Sequence, residues 1–482
     1  MSRFQSAASY LGEEWEFLPF RFERLNGSVL LTNMVGEHVF VEPENFELLT
    51  RGELSLDSPT LRRLRGKHIV RLVGEELPVE LLALKTRTRY WRLSEFTALH
   101  MFVVSLRCEH SCPYCQVSRQ SADKALYDMT EETAVRALEM TFRSPSPHIK
   151  IEFQGGEPLL NFPLIEFIVD RANELNQVEQ RRLTFVIASN LALLDDKIIA
   201  FCRVHNVQLS TSLDGPADLH NRNRPRPGGD SWERAVDGIR RVREELGTDS
   251  ISALMTTTAA SLERPEEIID TYLEQGLREV FLRPLSPYGF AVKTKIHAAY
   301  DVDRWLSFYK RGLEYILVLN DRGIDIRERY ASIVLKKMLT NGDPRYVDLA
   351  SPAGIGIAAL AYNYNGDVYA SDEGRMLAEM NDTTFLLGNV HADTYEEILL
   401  SDALLTPLEE SFTGSVPMCS DCAFESWCGA DPVFHHATQQ DSVGHKAWSA
   451  FHRRNSGMFK LLLGRYESDA RARQLFRAWA SR

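Results

Sequence analysis

The sequence has no long apolar run and no excess of positive charge. No apolar stretch approaches the length of a membrane span, and Arg3, Glu13, Glu14 and Glu16 interrupt any apolar core of a signal peptide. The net charge of −12 argues against nonspecific binding to nucleic acid or acidic lipid, because both need clustered basic surface. We therefore expect a cytoplasmic protein that has no nucleic-acid or membrane partner.

Cysteine is scarce and unevenly placed. The chain of 482 residues has seven cysteines, and six of them lie in two tight clusters. In a reducing compartment such clusters indicate metal ligands and not a disulfide framework. The seventh, Cys202, lies on the apolar stripe of a predicted helix, where a free cysteine packs as a small hydrophobic residue.

The first cluster is Cys108, Cys112 and Cys115, directly after an apolar segment that we predict to be a strand. Three thiolates at this spacing suit a [4Fe-4S] cluster, because the loop supplies three ligands and leaves one iron open for a small chelating molecule. A zinc site normally has four protein ligands, and no fourth cysteine lies nearby, although His110 could be the fourth. The spacing favours iron–sulfur and leaves zinc open.

Strand-like and helix-like segments alternate six times between Leu99 and about Asn320. The predicted strands are Met101–Leu106, Ile149–Phe153, Leu183–Ser189, Val207–Leu213, Ile251–Thr256 and Glu279–Leu282. Repetition of this kind forces a parallel sheet with right-handed crossovers, and six units can curl into a partial barrel. The predicted fold class is α/β, with a partial (β/α)6 TIM-like barrel at its centre.

Polar or glycine-rich segments follow five of these strands. They are the cysteine loop, Gln154–Pro158, Ser189-Asn190, Ser212–Gly215 and Arg283-Pro284. In barrels of this kind the carboxyl ends of the strands meet at one face, where the chemistry gathers. We therefore expect these five segments to surround one site.

The regions on either side of the barrel differ from it. Residues 1–95 are predicted to form a hairpin followed by small helices, a winged-helix-like α+β module that either caps the barrel or captures a peptide by strand addition. Residues 96–300 would form the barrel and 301–348 a helical bridge. Residues 349–482 contain Gly-rich turns, short strands and the second cysteine cluster.

The first cysteine loop, with the aromatic Tyr114 before its last cysteine, resembles the signature of the radical S-adenosylmethionine (SAM) superfamily. The resemblance implies that the open iron chelates the amino and carboxylate groups of SAM. One electron from the cluster then cleaves SAM to methionine and a 5′-deoxyadenosyl radical, which abstracts hydrogen from a substrate. Gly155-Gly156-Glu157 is similar to the SAM-amine motif of this family, because glycines allow close approach of backbone acceptors.

A second family segment, in which a serine and an arginine hold the SAM ribose and carboxylate, is similar to the stretch from Ser212 to Arg224. Arg224 could instead be a solvated loop charge, since Arg222 and Arg226 flank it. With the polar residue that follows the third strand, the predicted SAM contacts are Tyr114, Gly155, Gly156, Glu157, Asn190, Ser212 and Arg224.

The second cysteine cluster consists of Cys419, Cys422 and Cys428. Such a triple in a cytosolic chain is a strong metal signal, and its placement resembles the SPASM extension of radical SAM enzymes, which holds up to two auxiliary [4Fe-4S] clusters. A full SPASM domain would have cysteines near Ala353, Ser371 and Pro432, and all three are absent. The resemblance therefore implies that one auxiliary cluster is lost and the other kept.

The kept cluster needs a fourth protein ligand about twenty residues downstream. His452 is our candidate, with His435 and His436 as rivals, because imidazole can replace thiolate on iron. An open fourth site, with His452 on the surface, is the alternative. Asp372 occupies the place of an aspartate that takes a proton from the substrate in related enzymes, although a hairpin carboxylate could equally cap a turn.

Three stretches, Phe281–Ala291, Asn363–Asp367 and Cys428–Val433, resemble the radical SAM maturase (the B component) of the His-Xaa-Ser peptide system. The resemblance covers most of the chain. It implies that the enzyme crosslinks or oxidises a ribosomally made precursor peptide with His-Xaa-Ser repeats, beside a second radical SAM maturase. We expect an electron donor such as flavodoxin or ferredoxin.

Two other functions stay open. One is a sulfatase-type maturase that oxidises a single Ser or Cys to formylglycine. The other is a non-catalytic peptide-binding or zinc scaffold.

Overall fold

The computed structural model describes residues 14–340 and 342–481. Arg3 and Glu13, on which part of the signal-peptide prediction depends, lie outside the described residues, as do the first thirteen positions of the predicted N-terminal module. Within the described ranges, no helix combines the length and the apolar character that crossing a membrane requires.

The N-terminal region is a small α+β unit with its own hydrophobic core. Its strands are β1 (Trp15–Phe17), β2 (Phe20–Arg24), β3 (Val29–Asn33), β4 (His38–Val41) and β5 (Val70–Leu72). Its helices are α1 (Pro43–Thr50), α2 (Pro59–Gly66) and α3 (Leu77–Tyr90). Strands β2, β3 and β4 form an antiparallel sheet in that order, and β1 pairs with β5. A hairpin followed by small helices is therefore present.

The central region has the predicted parallel sheet. Its strands are β6 (Leu99–Ser105), β7 (His148–Gly155), β8 (Arg182–Ala188), β9 (Gln208–Ser212) and β10 (Ile251–Leu254). They are adjacent in chain order and parallel. The helices are α4 (Lys124–Tyr127), α5 (Glu131–Phe142), α6 (Phe162–Glu179), α7 (Asp196–His205), α8 (Ala217–Asn223), α9 (Ser231–Leu246) and α10 (Pro265–Glu274). The strand–helix periodicity predicted this core correctly, and Cys202 is buried in it as expected.

The sixth strand is shorter than predicted and pairs elsewhere. β11 (Glu279–Val280) pairs in parallel with β12 (Arg327–Glu328) and not with β10. Pro284 and Pro287 follow closely, and proline cannot donate to a strand ladder. The backbone N–H of Leu282 instead donates to the Glu328 carboxylate (3.2 Å). The chain beyond β11 is therefore irregular, which brings Arg283 to the boundary of the next region.

The sheet continues from the barrel into the C-terminal region. β13 (Ala359–Tyr362) pairs in parallel with β6, and β14 (Asp367–Tyr369) and β15 (Leu386–Asn389) extend the same sheet antiparallel, giving eight strands. The buried Tyr362 hydroxyl lies 3.1 Å from Nδ1 of His100 on β6. The cysteine loop after β6 is thus held from both sides of its strand.

Helices cover the remaining faces. Between the barrel and the extension lie α11 (Phe290–Lys293), α12 (Val302–Asp321) and α13 (Arg329–Leu339). The C-terminal helices are α14 (Asp372–Ala378), α15 (Tyr395–Leu399), α16 (Asp402–Glu410), α17 (Pro432–Gln439), α18 (Ala450–Ser468) and α19 (Ala470–Ser481). α18 packs on α12 and α19 packs on α13, so the chain end closes over the helical bridge.

The N-terminal unit contacts the loop that carries the second cysteine cluster. The buried Arg21 guanidinium on β2 donates to the carbonyl of Ser420 (2.5 Å) and pairs with the buried Glu425 (3.2 Å). The indole N–H of Trp427 donates to the carbonyl of Gly36 (3.1 Å). The N-terminal unit and the C-terminal region therefore contact each other at this loop.

Candidate active site

The first cysteine loop follows β6 at its carboxyl end and is fixed by backbone contacts. The N–H of Ser111 donates to the carbonyl of Pro225 (2.8 Å), and the carbonyl of Cys115 accepts from the N–H of Phe290 (2.8 Å). The three cysteines are half-buried and form no disulfide. The loop therefore spans the gap between the segment after β9 and the segment after β11.

Burial keeps the thiols of Cys108 and Cys112 protonated when no metal is present. It raises the pKa of Cys112 to about 12 and raises the pKa of Cys108 further, with Glu109 and Glu157 adding to the shift at Cys108. Such thiols ionise only when a nearby cation compensates the charge, as a bound metal does. The loop therefore fits a metal centre better than a reactive thiol.

His110 is held by protein hydrogen bonds. Its Nε2 lies 2.8 Å from the Ser231 hydroxyl, and its Nδ1 lies 3.1 Å from Glu109 and 3.0 Å from the Asn190 amide. The donor atoms of Cys108, Glu109 and His110 lie within 4.8 Å of one another, but two of these residues already have protein partners. With both ring nitrogens engaged, His110 is not free to complete a zinc tetrahedron.

The glycine turn after β7 packs against the backbone that leads to Cys108. A Cβ atom on Gly155, whose φ is +147°, would lie 1.9 Å from the carbonyl oxygen of Ser105, and one on Gly156 would lie 2.3 Å from that of Arg107. The backbone N–H of Gly156 donates to the Ser105 carbonyl (2.8 Å). We predicted these glycines for close approach to a ligand; in the structure they permit close approach of two strands.

Glu157 is fully buried and joins three strand ends. Its carboxylate accepts hydrogen bonds from the Ser189 hydroxyl (2.7 Å), the Asn190 N–H (2.8 Å) and the Leu159 N–H (3.1 Å). Burial, with the charge of Glu109, raises its pKa to about 8. The side chain of Asn190 in turn donates to Glu109 (2.8 Å). The predicted residues Glu157 and Asn190 thus position the cysteine loop.

Asp214 accepts hydrogen bonds from three side chains of the site, a role that the sequence did not indicate. It accepts hydrogen bonds from the Tyr114 hydroxyl (2.7 Å), from Arg224 Nε (3.0 Å) and from the Asn223 amide (3.2 Å). Burial raises the pKa of Asp214, but the Arg224 guanidinium more than offsets this and holds it below the usual value. The signal available in the sequence was the Asp-Gly pair directly after the fourth predicted strand.

Arg224 and Tyr114 are brought together as predicted site residues. The guanidinium carbon lies 5.5 Å from the centre of the Tyr114 ring. Arg224 is 14% exposed, so it is not a solvated loop charge. Ser212 is half-buried at the end of β9, and within the described ranges its hydroxyl has no hydrogen bond. Its free hydroxyl remains available to a ligand.

The second cysteine triple also consists of half-buried, unpaired thiols. Burial raises the pKa of Cys428 to about 12, and the charges of Cys422 and Cys419 add to the shift, so the three sulfurs interact. The buried ammonium of Lys337 donates to the Cys428 carbonyl (3.1 Å). The arrangement suits a second metal cluster, because a buried thiol of this kind ionises only when a bound metal compensates its charge.

The three histidine candidates for a fourth ligand differ in availability. His435 is buried with both ring nitrogens engaged, by the Asp431 carbonyl (2.7 Å) and the Ser449 hydroxyl (2.9 Å). His436 Nε2 lies 2.8 Å from Asp382. The ring of His452 has no hydrogen bond to any described residue, and burial together with the charge of Lys446 lowers its pKa. Of the three, His452 is the one whose ring has no hydrogen bond to a described residue, whereas His436 is bonded through Nε2 alone.

Asp372 begins α14 and does not lie in a hairpin. The hydroxyl of Ser371 caps this helix by accepting from the Gly374 N–H (3.2 Å), so the turn-cap role belongs to Ser371. Asp372 pairs with the buried Arg375 through one carboxylate oxygen (3.1 Å) and keeps some exposure (16%). Its second carboxylate oxygen has no hydrogen bond to the residues that the structure describes.

Comparison with known proteins bears on the first site most directly. Residues 102–272 match the model of the radical SAM superfamily. The radical SAM cyclopropyl synthase TigE of Paramaledivibacter caminithermalis is 26% identical over 155 residues, which cover 30% of this chain and 32% of that protein. A cysteine-type anaerobic sulfatase-maturating enzyme of Clostridium perfringens (strain 13 / Type A) is 23% identical over 231 residues, 46% of this chain and 60% of that enzyme. The chain thus spans about a third and three fifths of these two relatives.

Two solved structures share the fold over most of the chain. Native anSMEcpe with bound AdoMet superposes with a TM-score of 0.63 at 15% identity, covering 79% of this chain and 99% of that one. Streptococcus suis SuiB bound to its precursor peptide SuiA superposes with a TM-score of 0.52 at 15% identity, covering 88% and 97%.

The predicted α/β fold with a partial-barrel core is therefore confirmed. Domains of the radical SAM family bind a [4Fe-4S] cluster and SAM, and three further cysteines here are available for an auxiliary cluster. Residues 102–272, which match the radical SAM superfamily, carry the first cysteine loop, the glycine turn and the Asp214–Arg224 pair.

Proposed function

We propose that this chain is a radical SAM enzyme that crosslinks or oxidises a ribosomally made peptide, with a His-Xaa-Ser-type precursor as its substrate. The observation that carries the proposal is the cysteine loop at the carboxyl end of β6, which is hydrogen-bonded to the segment after β8 through Glu109 and to the segment after β9 through Tyr114. The N-terminal α+β unit and the similarity to a peptide-bound maturase support a peptide substrate.

In this proposal Cys108, Cys112 and Cys115 hold the first cluster. When bound, the cluster and SAM supply a 5′-deoxyadenosyl radical that abstracts hydrogen from the peptide. The chain's own contribution is positioning. Glu157 accepts from the Asn190 N–H, and the Asn190 side chain donates to Glu109 of the cysteine loop. Asp214 fixes the Arg224 guanidinium, whose remaining N–H donors are directed away from the pair.

The SAM-contacting residues stay as predicted from the sequence. Ser212 offers a free hydroxyl, Arg224 offers a buried and permanently charged guanidinium, and Tyr114 presents a buried ring beside it. Asp372 takes a proton from the substrate in this scheme. Arg375 pairs with this carboxylate through one oxygen (3.1 Å) and so orients it.

The auxiliary cluster would be held by the second cysteine triple and His452. A site of this kind accepts the electron that remains after substrate oxidation or binds the peptide directly. The predicted boundaries at residues 95, 300 and 348 remain part of the proposal.

The first experiment measures SAM cleavage by the anaerobically reconstituted full-length protein with dithionite and SAM. We expect 5′-deoxyadenosine from the wild type and none above background from Cys112→Ala. Cys202→Ala is the matched control, because Cys202 is buried in the core away from both triples and should keep the activity. Equal product from Cys112→Ala and the wild type would overturn the assignment.

The second experiment identifies the reaction. A synthetic peptide with His-Xaa-Ser repeats is incubated with the active enzyme and analysed by mass spectrometry before and after digestion. We expect the peptide to lose a mass of about two hydrogens. If the product is a crosslink, two fragments should stay joined after digestion. SAM cleavage without any change in this peptide would reject the His-Xaa-Ser substrate while keeping the radical chemistry.

Formylglycine formation is the second candidate, favoured by the similarity to a sulfatase-maturating enzyme. A peptide with a single Cys or Ser would then gain an aldehyde that reacts with a hydrazide reagent. A colourless protein that binds zinc and lacks absorption near 400 nm would instead support the non-catalytic scaffold.

A further inference from the structure

A cavity with charged walls lies where the barrel, the helical bridge and the C-terminal region meet. Its charged lining residues come from all three regions: Arg283, Asp348, Glu373, Asp431 and Arg454. The cavity volume is about 30 Å³, which is about twice the space that one water needs. The cavity therefore admits a small polar group and not a cofactor.

Two buried side chains of the lining have hydrogen-bonding groups without a partner. Trp305 and Tyr288 are each 2% exposed, and neither the Trp305 indole N–H nor the Tyr288 hydroxyl has a hydrogen bond to any described residue. The indole N–H can only donate, so the partner that it lacks is an acceptor. An unpaired buried donor is costly and rare in native proteins. The lining therefore requires a ligand with an acceptor atom.

The two guanidinium groups of the lining also lack partners. Within the described ranges, the side chain of Arg283 makes no hydrogen bond or ion pair. Arg454 lies over two phenylalanine rings, at 5.3 and 5.9 Å from their centres, and likewise has no hydrogen bond or ion pair there. Elsewhere in this chain a buried guanidinium is paired, as Arg224 is with Asp214. A guanidinium only donates, so these two groups need acceptors as well.

The acidic side chains of the lining do not supply those acceptors. Among the described residues, the side chains of Asp348 and Glu373 make no hydrogen bond or ion pair, and that of Asp431 accepts only from the N–H of Phe434 (2.9 Å). Burial, with the charge of Asp348, raises the pKa of Glu373 to about 8 and that of Asp431 to about 7. At pH 6 these two acids therefore hold protons, and two guanidinium groups face one carboxylate. One further negative charge would balance the lining.

The cavity lies beside the candidate base. Asp372 is the chain neighbour of Glu373. Burial opposes the charge of Arg283, but neighbouring groups that include Asp348 and Asp372 outweigh burial and raise the pKa of the guanidinium, which therefore stays charged. A group held by Arg283 would lie close to the residue that takes the substrate proton in the proposed reaction.

We propose that this cavity binds a carboxylate group of the peptide substrate, from an acidic side chain or from the end of the peptide chain. A carboxylate has two oxygens that only accept, which match the N–H of Trp305 and the guanidinium groups of Arg283 and Arg454. Pairing of a carboxylate with a guanidinium can be bidentate, which adds geometric specificity, and a buried site strengthens it. Its single negative charge balances the lining.

Water and a neutral amide are the competing occupants. The oxygen of either could accept from the Trp305 N–H, but neither brings a negative charge to the two guanidinium groups. Selectivity for charge at constant shape therefore separates a carboxylate from both.

This inference rests on the proposed function only in taking the substrate to be a peptide. Binding of a carboxylate needs no SAM cleavage, so the two can fail separately. Selective binding without 5′-deoxyadenosine would keep the carboxylate site and reject the enzyme. Cleavage without selective binding would do the reverse.

The test uses the reconstituted full-length protein at pH 6 and two matched pairs of small probes. One pair is Nα-acetyl-glutamate methylamide and the neutral Nα-acetyl-glutamine methylamide, and the other is Nα-acetyl-alanine and the neutral Nα-acetyl-alanine methylamide. SAM is present and no reductant is added, so that the predicted SAM contact Arg224 is occupied. Dissociation constants are measured by saturation-transfer NMR.

We expect the carboxylate member of at least one pair to bind about tenfold or more tightly than its neutral match. A preference for the glutamate probe assigns an acidic side chain, and a preference for Nα-acetyl-alanine assigns the end of the peptide chain. Equal affinities within both pairs would overturn the proposal. This comparison is made on the wild type and needs no variant.

Two variants test the location of the site. Arg283→Gln should weaken the preferred carboxylate probe about tenfold and leave its neutral match unchanged, because it removes the charge and leaves no protein group without a partner. Trp305→Phe removes the indole N–H, keeps an aromatic ring and should weaken the same probe about fivefold. The exposed Arg240→Gln is the matched control and should bind like the wild type. Unchanged binding in either variant, with the fold verified by circular dichroism, would also overturn the proposal.

Discussion

The two cysteine triples of this chain have the same ligand type but different charged neighbours. Burial raises the thiol pKa values of Cys108 and Cys112 in the first triple and of Cys419 and Cys428 in the second. At the first, the carboxylates of Glu109, Glu157 and Asp214 add to the shift, although Arg224 opposes it at Cys112. At the second, Lys446 opposes the shift at Cys419 and Lys337 opposes it at Cys428. The first is fixed by strands of one barrel, whereas the second is fixed partly by the N-terminal unit. The two triples therefore differ in their charged neighbours and in the elements that fix them, as well as in cysteine spacing.

The largest expected effect separates the triples by activity. Replacing Cys108, Cys112 and Cys115 together by alanine should abolish 5′-deoxyadenosine formation and lower bound iron from about eight to about four per chain. Replacing Cys419, Cys422 and Cys428 should lower iron equally but keep SAM cleavage while losing the peptide product. Iron analysis and chromatography of the nucleoside measure both. If the second variant also lost SAM cleavage, the two triples would form one functional unit.

A second experiment breaks the contact that distinguishes the second triple. Arg21→Ala leaves Glu425 buried without its partner, which should lower the free energy of unfolding by about 3–5 kcal/mol. The exposed Arg240, which pairs with Asp237 and Glu244, is the control, and its replacement by alanine should leave the free energy of unfolding nearly unchanged. Denaturant unfolding measures stability, and the spectrum reports each cluster. Loss of the first cluster in Arg21→Ala would contradict the separation.

A third experiment concerns pH and the first triple only. Because the pKa of Glu157 is about 8 in the folded protein against 4.5 as the ordinary value, the folded state keeps a proton that the unfolded state releases. Stability from this group is therefore complete below pH 4.5 and is lost as pH rises through 8. Between pH 6 and 8 the loss should be about 2 kcal/mol, and Glu157→Gln should remove it. Equal slopes in both proteins would show that Glu157 is ionised throughout.

The smallest expected effect is on the reduction potentials. Negative surroundings disfavour adding an electron and positive surroundings favour it, so the auxiliary cluster should have the higher potential. Lys446→Met should lower that potential and leave the first cluster unchanged. Redox titration followed by electron paramagnetic resonance measures both. A higher potential at the first cluster would reverse our view of the direction of electron flow.

The local features of this protein were predictable from its sequence, and the long-range ones were not. The cysteine loop, the parallel strands and the buried role of Cys202 follow from spacing and periodicity within short segments. The pairing of β13 with β6 joins residues about 260 positions apart, and no local pattern indicates it. The zinc alternative through His110 could be judged only once its contacts with Ser231 and Asn190 were known.

The same distinction explains the features that the sequence missed. The charged residues that line one cavity come from five separate segments, so no motif contains more than one of them; they are Arg283, Asp348, Glu373, Asp431 and Arg454. The sixth strand was predicted too long because Leu282 continues the apolar pattern, while its N–H pairs with a side chain and not with a strand. The glycine turn packs against Ser105 in the structure, and the SAM contact expected of Gly155 and Gly156 stays a prediction.

The contact between Trp427 and Gly36 limits how this protein can be recombined. A Cβ atom at position 36 would lie 2.7 Å from the indole nitrogen, and Thr32 of the same hairpin donates to the Ala423 carbonyl (2.9 Å). The hairpin and the second cysteine loop are therefore matched surfaces. A chimera that takes its first ninety-five residues from a relative should fold with its auxiliary cluster only if residues 419–428 are transplanted with them.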